Sequence, residues 1–200
     1  RKADRSDPVG RLSQPRPDAI DFTKARMTPM KLSITTRVLH WLIAFVILGM
    51  LASGKLIESL SSPVDMQILA IHMSVGLCLT IFLVFRFANR MREGFPEALT
   101  PQAKVLNVIS RVTHWGLLVV PFLMVGSGFM HEYAGGRDLQ IFGVQVFSAL
   151  DPRDLALKQQ AEHFHENAAT VLIILVVLHI AGALKHAILG KDGTLKRMIR

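Results

Sequence analysis

Four stretches of this 200-residue chain are apolar for about as long as a helix needs to cross a bilayer. They occupy residues 38–54, 66–85, 112–130 and 166–184. A hydrocarbon layer roughly 30 Å thick offers no partner to a backbone N–H or C=O, so a lone run that crosses it must be helical. One such run could be a buried helix of a water-soluble protein. Four leave too little polar chain to cover them, and hydrophobic residues make up 50% of the sequence. The fold class that follows is all-α: an integral membrane four-helix bundle over residues 33–200, with a disordered or extended N-terminal arm over residues 1–32. The arm is basic, holds Pro8, Pro15, Pro17 and Pro29, and has almost no apolar periodicity. No apolar run precedes the first span, so no cleavable signal peptide is expected.

Charge orients the bundle. Nine Lys and Arg lie at or before Arg37, five between Arg86 and Arg111, and five from Lys185 onward. The opposite side has only Lys55, Arg137, Arg153 and Lys158. The positive-inside rule then places both termini in the cytoplasm, along with a basic loop that holds Pro96 and Pro101. The same asymmetry, with attraction to anionic lipid, accounts for the net charge of +8 and leaves no nucleic-acid footprint to explain. The single Cys78 excludes a disulfide framework and a cysteine-ligated cluster. No C-x-x-C-H stretch is present, so any haem would be held non-covalently.

Depth sorts the histidines. His165 and His179 are fourteen residues apart, which on a helix means roughly 21 Å of rise and about 40° of rotation. His72 falls in the outer half of the second span, fourteen residues before Arg86, and His40 lies just inside the inner boundary of the first. His72 and His165 therefore share the outer half, and His40 and His179 the inner. Each pair joins different helices, as two axial imidazoles on one haem iron require. A proton relay also uses intramembrane histidines, but it ought to include carboxylates, and residues 38–54, 66–85 and 112–130 hold none. Rivals exist. His186 could replace His179, and His163 competes with His165. His114 could be a third inner ligand, although a hydrogen bond to a haem propionate or a quinone suits it better. His131 reads as a surface residue.

Other residues fit around such cofactors. Arg37 and Arg111 could neutralise propionates, a pairing that suits guanidinium, and they equally suit an ordinary cytoplasmic boundary. Gly76, one turn after His72, would let a macrocycle or another helix approach closely. Thr36-Arg37-Val38-Leu39-His40-Trp41 is echoed by Ser110-Arg111-Val112-Thr113-His114-Trp115, and Ala52-Ser53-Gly54 by Gly126-Ser127-Gly128. The echo points to an internal duplication with both copies running outward. Pro121 is expected to kink the third span. An outer segment from His131 to His165, with turn signals at Gly135-Gly136 and Asp151-Pro152, should cap the outer end.

Leu39-His40-Trp41, Ile71-His72-Met73-Ser74-Val75-Gly76, Phe164-His165-Glu166, the stretch from Leu178-His179 to Lys185-His186 and the closing Lys191-Asp192-Gly193-Thr194-Leu195-Lys196-Arg197-Met198 resemble the prokaryotic cytochrome b561 family. The likeness runs from about Ser33 to the C-terminus. It implies a bacterial inner-membrane protein with two haems b, His40 opposite His179 and His72 opposite His165, exchanging electrons between the quinone pool and a second partner, in some members superoxide. Related cytochrome b subunits anchor hydrogenases and formate dehydrogenases, so a second expectation is an anchoring or assembly subunit of a larger respiratory complex. A periplasmic redox protein is another partner of the right kind. The arm lies outside the family pattern. The outer segments carry eight carboxylates against four cations, a negative balance that ranks superoxide below electron transfer to a protein.

Overall fold

The protein is described from a computed structural model, in which residues 32–61, 63–95 and 103–199 are described. The arm expected over residues 1–32 lies outside them except for Leu32, as do Pro96 and Pro101. The described chain forms α1 (Ile34–Ser59), α2 (Val64–Glu93), α3 (Lys104–Ala134), strands β1 (Leu139–Ile141) and β2 (Val144–Phe147), α4 (Leu155–Lys185), a π-helical turn (His186–Gly190) and α5 (Thr194–Ile199). Four of these helices are long and apolar enough to cross a membrane. All four apolar runs lie inside them, and each helix is longer than its run because its ends continue through polar sequence.

Polar side chains fix how the helices pair. Ser33 caps α1 by accepting from the Thr36 backbone N–H at 3.1 Å. The buried Thr36 hydroxyl donates to Glu93 at 2.5 Å and accepts from Asn89 at 2.6 Å, clasping the start of α1 to the end of α2. A buried hydroxyl without such partners would cost on the order of 1–3 kcal/mol, so the clasp fixes the register of the pair. α3 and α4 pack antiparallel and close: a Cβ added at Gly116 would come within 2.7 Å of Leu175. α3 runs through Pro121 without interruption. Between the helices sits an apolar cluster of Ile43, Ile47, Leu79, Leu83 and Leu172. The two ends of the bundle are distinct. At one, the tail end, Trp41 Nε1 donates to the Met198 carbonyl at 3.0 Å and folds α5 back onto α1. At the other, the hairpin end, β1 and β2, which follow α3 in the chain, pair antiparallel and pack on α2.

The bundle is all-α as expected, with one short β-hairpin added at one end. Phe142 and Gly143 at its turn both have positive φ, 48° and 88°, as a two-residue turn matching strand twist requires. The Phe142 backbone N–H donates to Ser74 Oγ at 2.9 Å, which ties the hairpin to α2 two residues beyond His72. The outer segment is also shorter than expected. α4 begins at Leu155, where Asp154 accepts from the Leu157 backbone N–H, and so takes in about ten residues read as cap. They are polar but rich in good helix formers, and apolar length alone misses such a stretch.

Gly116→Ala should press a methyl against Leu175 and loosen the α3–α4 pair, costing about 1–3 kcal/mol. Gly49→Ala meets nothing within 4 Å and should be neutral or mildly stabilising. Thermal unfolding of both variants in detergent checks the contrast; equal midpoints would show that the close approach is not a constraint.

Candidate functional site

A seven-residue spacing along each helix brings one residue per helix to each of three depths, as it does along the seam of any helical bundle. α1 supplies His40, Ile47 and Gly54; α2 supplies His72, Leu79 and Arg86; α3 supplies His114, Pro121 and Gly128; α4 supplies His165, Leu172 and His179. The middle members Ile47, Leu79, Pro121 and Leu172 are all buried. They form an apolar floor between a tail-end layer of three histidines and an arginine and a hairpin-end layer of two histidines and two glycines.

Within each layer two imidazoles face one another. At the hairpin end the His72 and His165 rings have centroids 6.5 Å apart and planes 69° apart. At the tail end those of His40 and His179 are 5.9 Å and 61° apart. A metal held between two imidazole nitrogens sets ring centres about 6.3 Å apart, from bonds of about 2 Å and about 1.1 Å more to each ring centre. Both pairs match the span of a bis-imidazole iron within a few tenths of an ångström, so the residues present fit haem at two levels.

Ring orientation comes from the partners of Nδ1. His165 Nδ1 lies 2.9 Å from the Met124 carbonyl and 3.1 Å from Ser127 Oγ. A carbonyl only accepts, so Nδ1 carries the proton and Nε2 is left with a free lone pair for a metal. His72 Nδ1 lies 2.8 Å from Ser53 Oγ, whose hydroxyl donates to the Met50 carbonyl at 3.0 Å and so accepts from the ring. Gly128 makes room for this arrangement: a Cβ there would come within 3.1 Å of His165 Cε1. Gly54 stands in the same relation to His72, at 3.8 Å. The Ser-Gly step at the end of each of the two similar stretches thus lies against the histidine of the neighbouring helix, a role that the sequence echo and the seven-residue spacing together could have indicated.

The remaining candidates divide. His114 stands beside the tail-end pair, its ring 5.5 Å from that of His179 and 6.2 Å from that of Phe95, with Nδ1 3.4 Å from Ser110 Oγ. Phe95 also packs on Trp115 at 5.0 Å, under the Arg90 guanidinium. Arg37 is half-buried, and its Nε is buried without a hydrogen-bond partner among the described residues, a donor suited to a carboxylate. Arg111 is exposed. The space at Gly76 is taken by Met50, whose Cε lies 3.3 Å from where a Cβ would be. His163 is at the surface, 3.7 Å from Glu166. His186 turns to Asp192 at 2.5 Å. Hydrogen bonds from Thr194 and from His186 hold the Asp192 carboxyl well below the usual carboxylate range. His131 lies between Glu132 and Glu162, at 3.3 and 3.8 Å. Arg86, absent from the expected site, places Nη2 3.3 Å from His40 Nδ1.

Known proteins resemble this chain over most of its length. Residues 31–200 match the family model described as prokaryotic cytochrome b561. Cytochrome b561 homolog 2 of Escherichia coli (strain K12) is 30% identical over 174 residues, covering 86% of this chain and 93% of that protein. A protein of Yersinia pestis described as "Probable superoxide oxidase CybB" is 21% identical over 161 residues, covering 80% and 91%.

Gly128→Ala should displace the His165 ring and lower, several-fold, the haem retained per purified chain, whereas Gly54→Ala, at ordinary contact distance, should leave it unchanged. Haem content of the two purified variants tests this. Full retention in Gly128→Ala would mean that the glycine does not seat the ring.

Proposed function

Because the chain belongs to the prokaryotic cytochrome b561 family, multi-pass bacterial membrane proteins that carry electrons through haem b, we propose that it binds two haems b and passes electrons across the inner membrane between the quinone pool and a redox partner at the hairpin end. The observation that carries this reading is the pair of facing imidazoles at each of two depths. One bis-imidazole site would give a haem protein; two, separated by an apolar floor, give a path between the faces. Haem b, when bound, supplies the one-electron couple. His72 with His165 would hold one haem and His40 with His179 the other. The chain also supplies a dry interior and polar groups at the edges.

Each polar group has a part. Arg37, one turn from His40 and with an Nε that has no partner among the described residues, would pair with a propionate of a tail-end haem. The exposed Arg111 has weaker claims to such a role. His114, with Phe95 and Trp115, forms a rim beside the tail-end pair where a quinone ring or a propionate would find both stacking and a hydrogen bond. The tail end faces the cytoplasm, in keeping with its cations. Eight carboxylates against four cations at the hairpin end repel superoxide and favour a basic redox protein as partner.

An anchoring role in a larger complex is favoured by one observation. The hairpin exposes Phe142, Val144 and Phe147 at 67%, 66% and 53%, an apolar edge that a docked subunit would cover.

His165→Ala should lose the hairpin-end haem and keep the other, halving the haem-to-protein ratio. His40→Ala should do the reverse. Loss of both haems in either variant, or of neither, would contradict the pairing.

A further inference from the structure

The two imidazole pairs differ in what holds their Nδ1 atoms. At the hairpin end the partners are oxygens that accept: Ser53 Oγ for His72, and the Met124 carbonyl with Ser127 Oγ for His165. An acceptor on Nδ1–H pushes electron density into the ring, makes it a stronger donor to iron and favours the ferric state. At the tail end His40 Nδ1 lies 3.3 Å from the Arg86 guanidinium, a permanent cation. A fixed positive charge in a low-dielectric interior favours the ferrous state, which carries one charge less. A guanidinium can only donate, so in a neutral His40 ring this hydrogen bond requires the proton to be on Nε2. Ligation through Nε2 therefore makes Arg86 yield the hydrogen bond while its charge stays near the site. Glu162 and Glu166 flank His165 on α4 and add to the contrast, though exposure screens them.

We infer that Ser53, Ser127 and Arg86 are positioning residues that separate the redox potentials of the two haem sites, holding the hairpin-end site below the tail-end site. This rests on the two-haem reading above. With haem held by His72 and His165 at one level and by His40 and His179 at the other, one-electron transfer from the first site to the second would be downhill, with no bond made or broken and no proton taken up by a ligand.

The test is a potentiometric titration of the haem-loaded protein in detergent, followed by haem absorbance. Two waves are expected, and His165→Ala should remove the lower one. Ser53→Ala should shift the lower wave upward and leave the upper in place, and Ser53→Thr, which keeps the hydroxyl, should restore it. Ser127→Ala should act in the same direction but less, because the Met124 carbonyl remains. Arg86→Gln should lower the upper wave. The inference is overturned if His165→Ala removes the upper wave. It is also overturned if Ser53→Ala loads two haems with both waves unmoved, or if Arg86→Gln leaves the upper wave where it was. A serine variant that fails to load leaves the decision to Arg86→Gln, which acts at the other site. A protein that binds no haem at all overturns the proposed function itself, which separates the two failures.

Discussion

An imidazole inside a bilayer has few ways to satisfy its two nitrogens, and this chain satisfies each kind separately. In the hairpin-end pair Nδ1 of each ring is hydrogen-bonded to an oxygen of an adjacent helix, and the two ring centroids lie 6.5 Å apart. The backbone can offer such oxygens only where helices come very close, since its carbonyls are otherwise engaged within the helix. That is why glycines stand beside the histidines. Gly128 brings the α3 backbone against His165, and the preceding Ser127 adds a hydroxyl from the same turn.

The rest of the bundle keeps these contacts in register. The Thr36–Asn89–Glu93 clasp aligns α1 with α2, and the Gly116–Leu175 approach aligns α3 with α4. Because seven residues nearly complete two helical turns, histidines fourteen residues apart on α4 return to one face two layers apart. The apolar middle layer keeps those two levels about 21 Å apart along the helix. α1 and α3 bring His40 and His114 to the tail-end layer, while α2 and α4 bring Arg86 and His179.

Much of this was legible in the sequence because the bilayer enforces simple rules. Apolar length located four spans, and histidine depth picked out the two pairs whose ring centroids the structure sets 5.9 and 6.5 Å apart. Elements outside the hydrocarbon follow other rules and were harder to read. The first turns of α4, residues 155–165, are polar, so apolar length placed the helix start near Glu166 when Asp154 and its good helix formers begin it earlier. The hairpin has only seven strand residues, six of them paired, with a Phe at positive φ in its turn, a place where sequence favours Asn, Asp or Gly. Arg86 was read as an inside-boundary charge, and only its position fourteen residues after His72 marks it as part of the tail-end layer. Ser53 and Ser127 were visible as a repeat but not as hydrogen-bond partners, because an offset in sequence says nothing about which neighbouring helix a side chain meets.

Two facing imidazole pairs at two depths are the feature on which the functional reading stands. The measurement that bears on it most directly is the haem-to-protein ratio of the purified chain, taken with a reduced-minus-oxidised absorbance spectrum. Two haems b per chain, both spectrally low-spin as two strong nitrogen ligands require, is the expected result. A ratio of one, or a colourless protein, would contradict it.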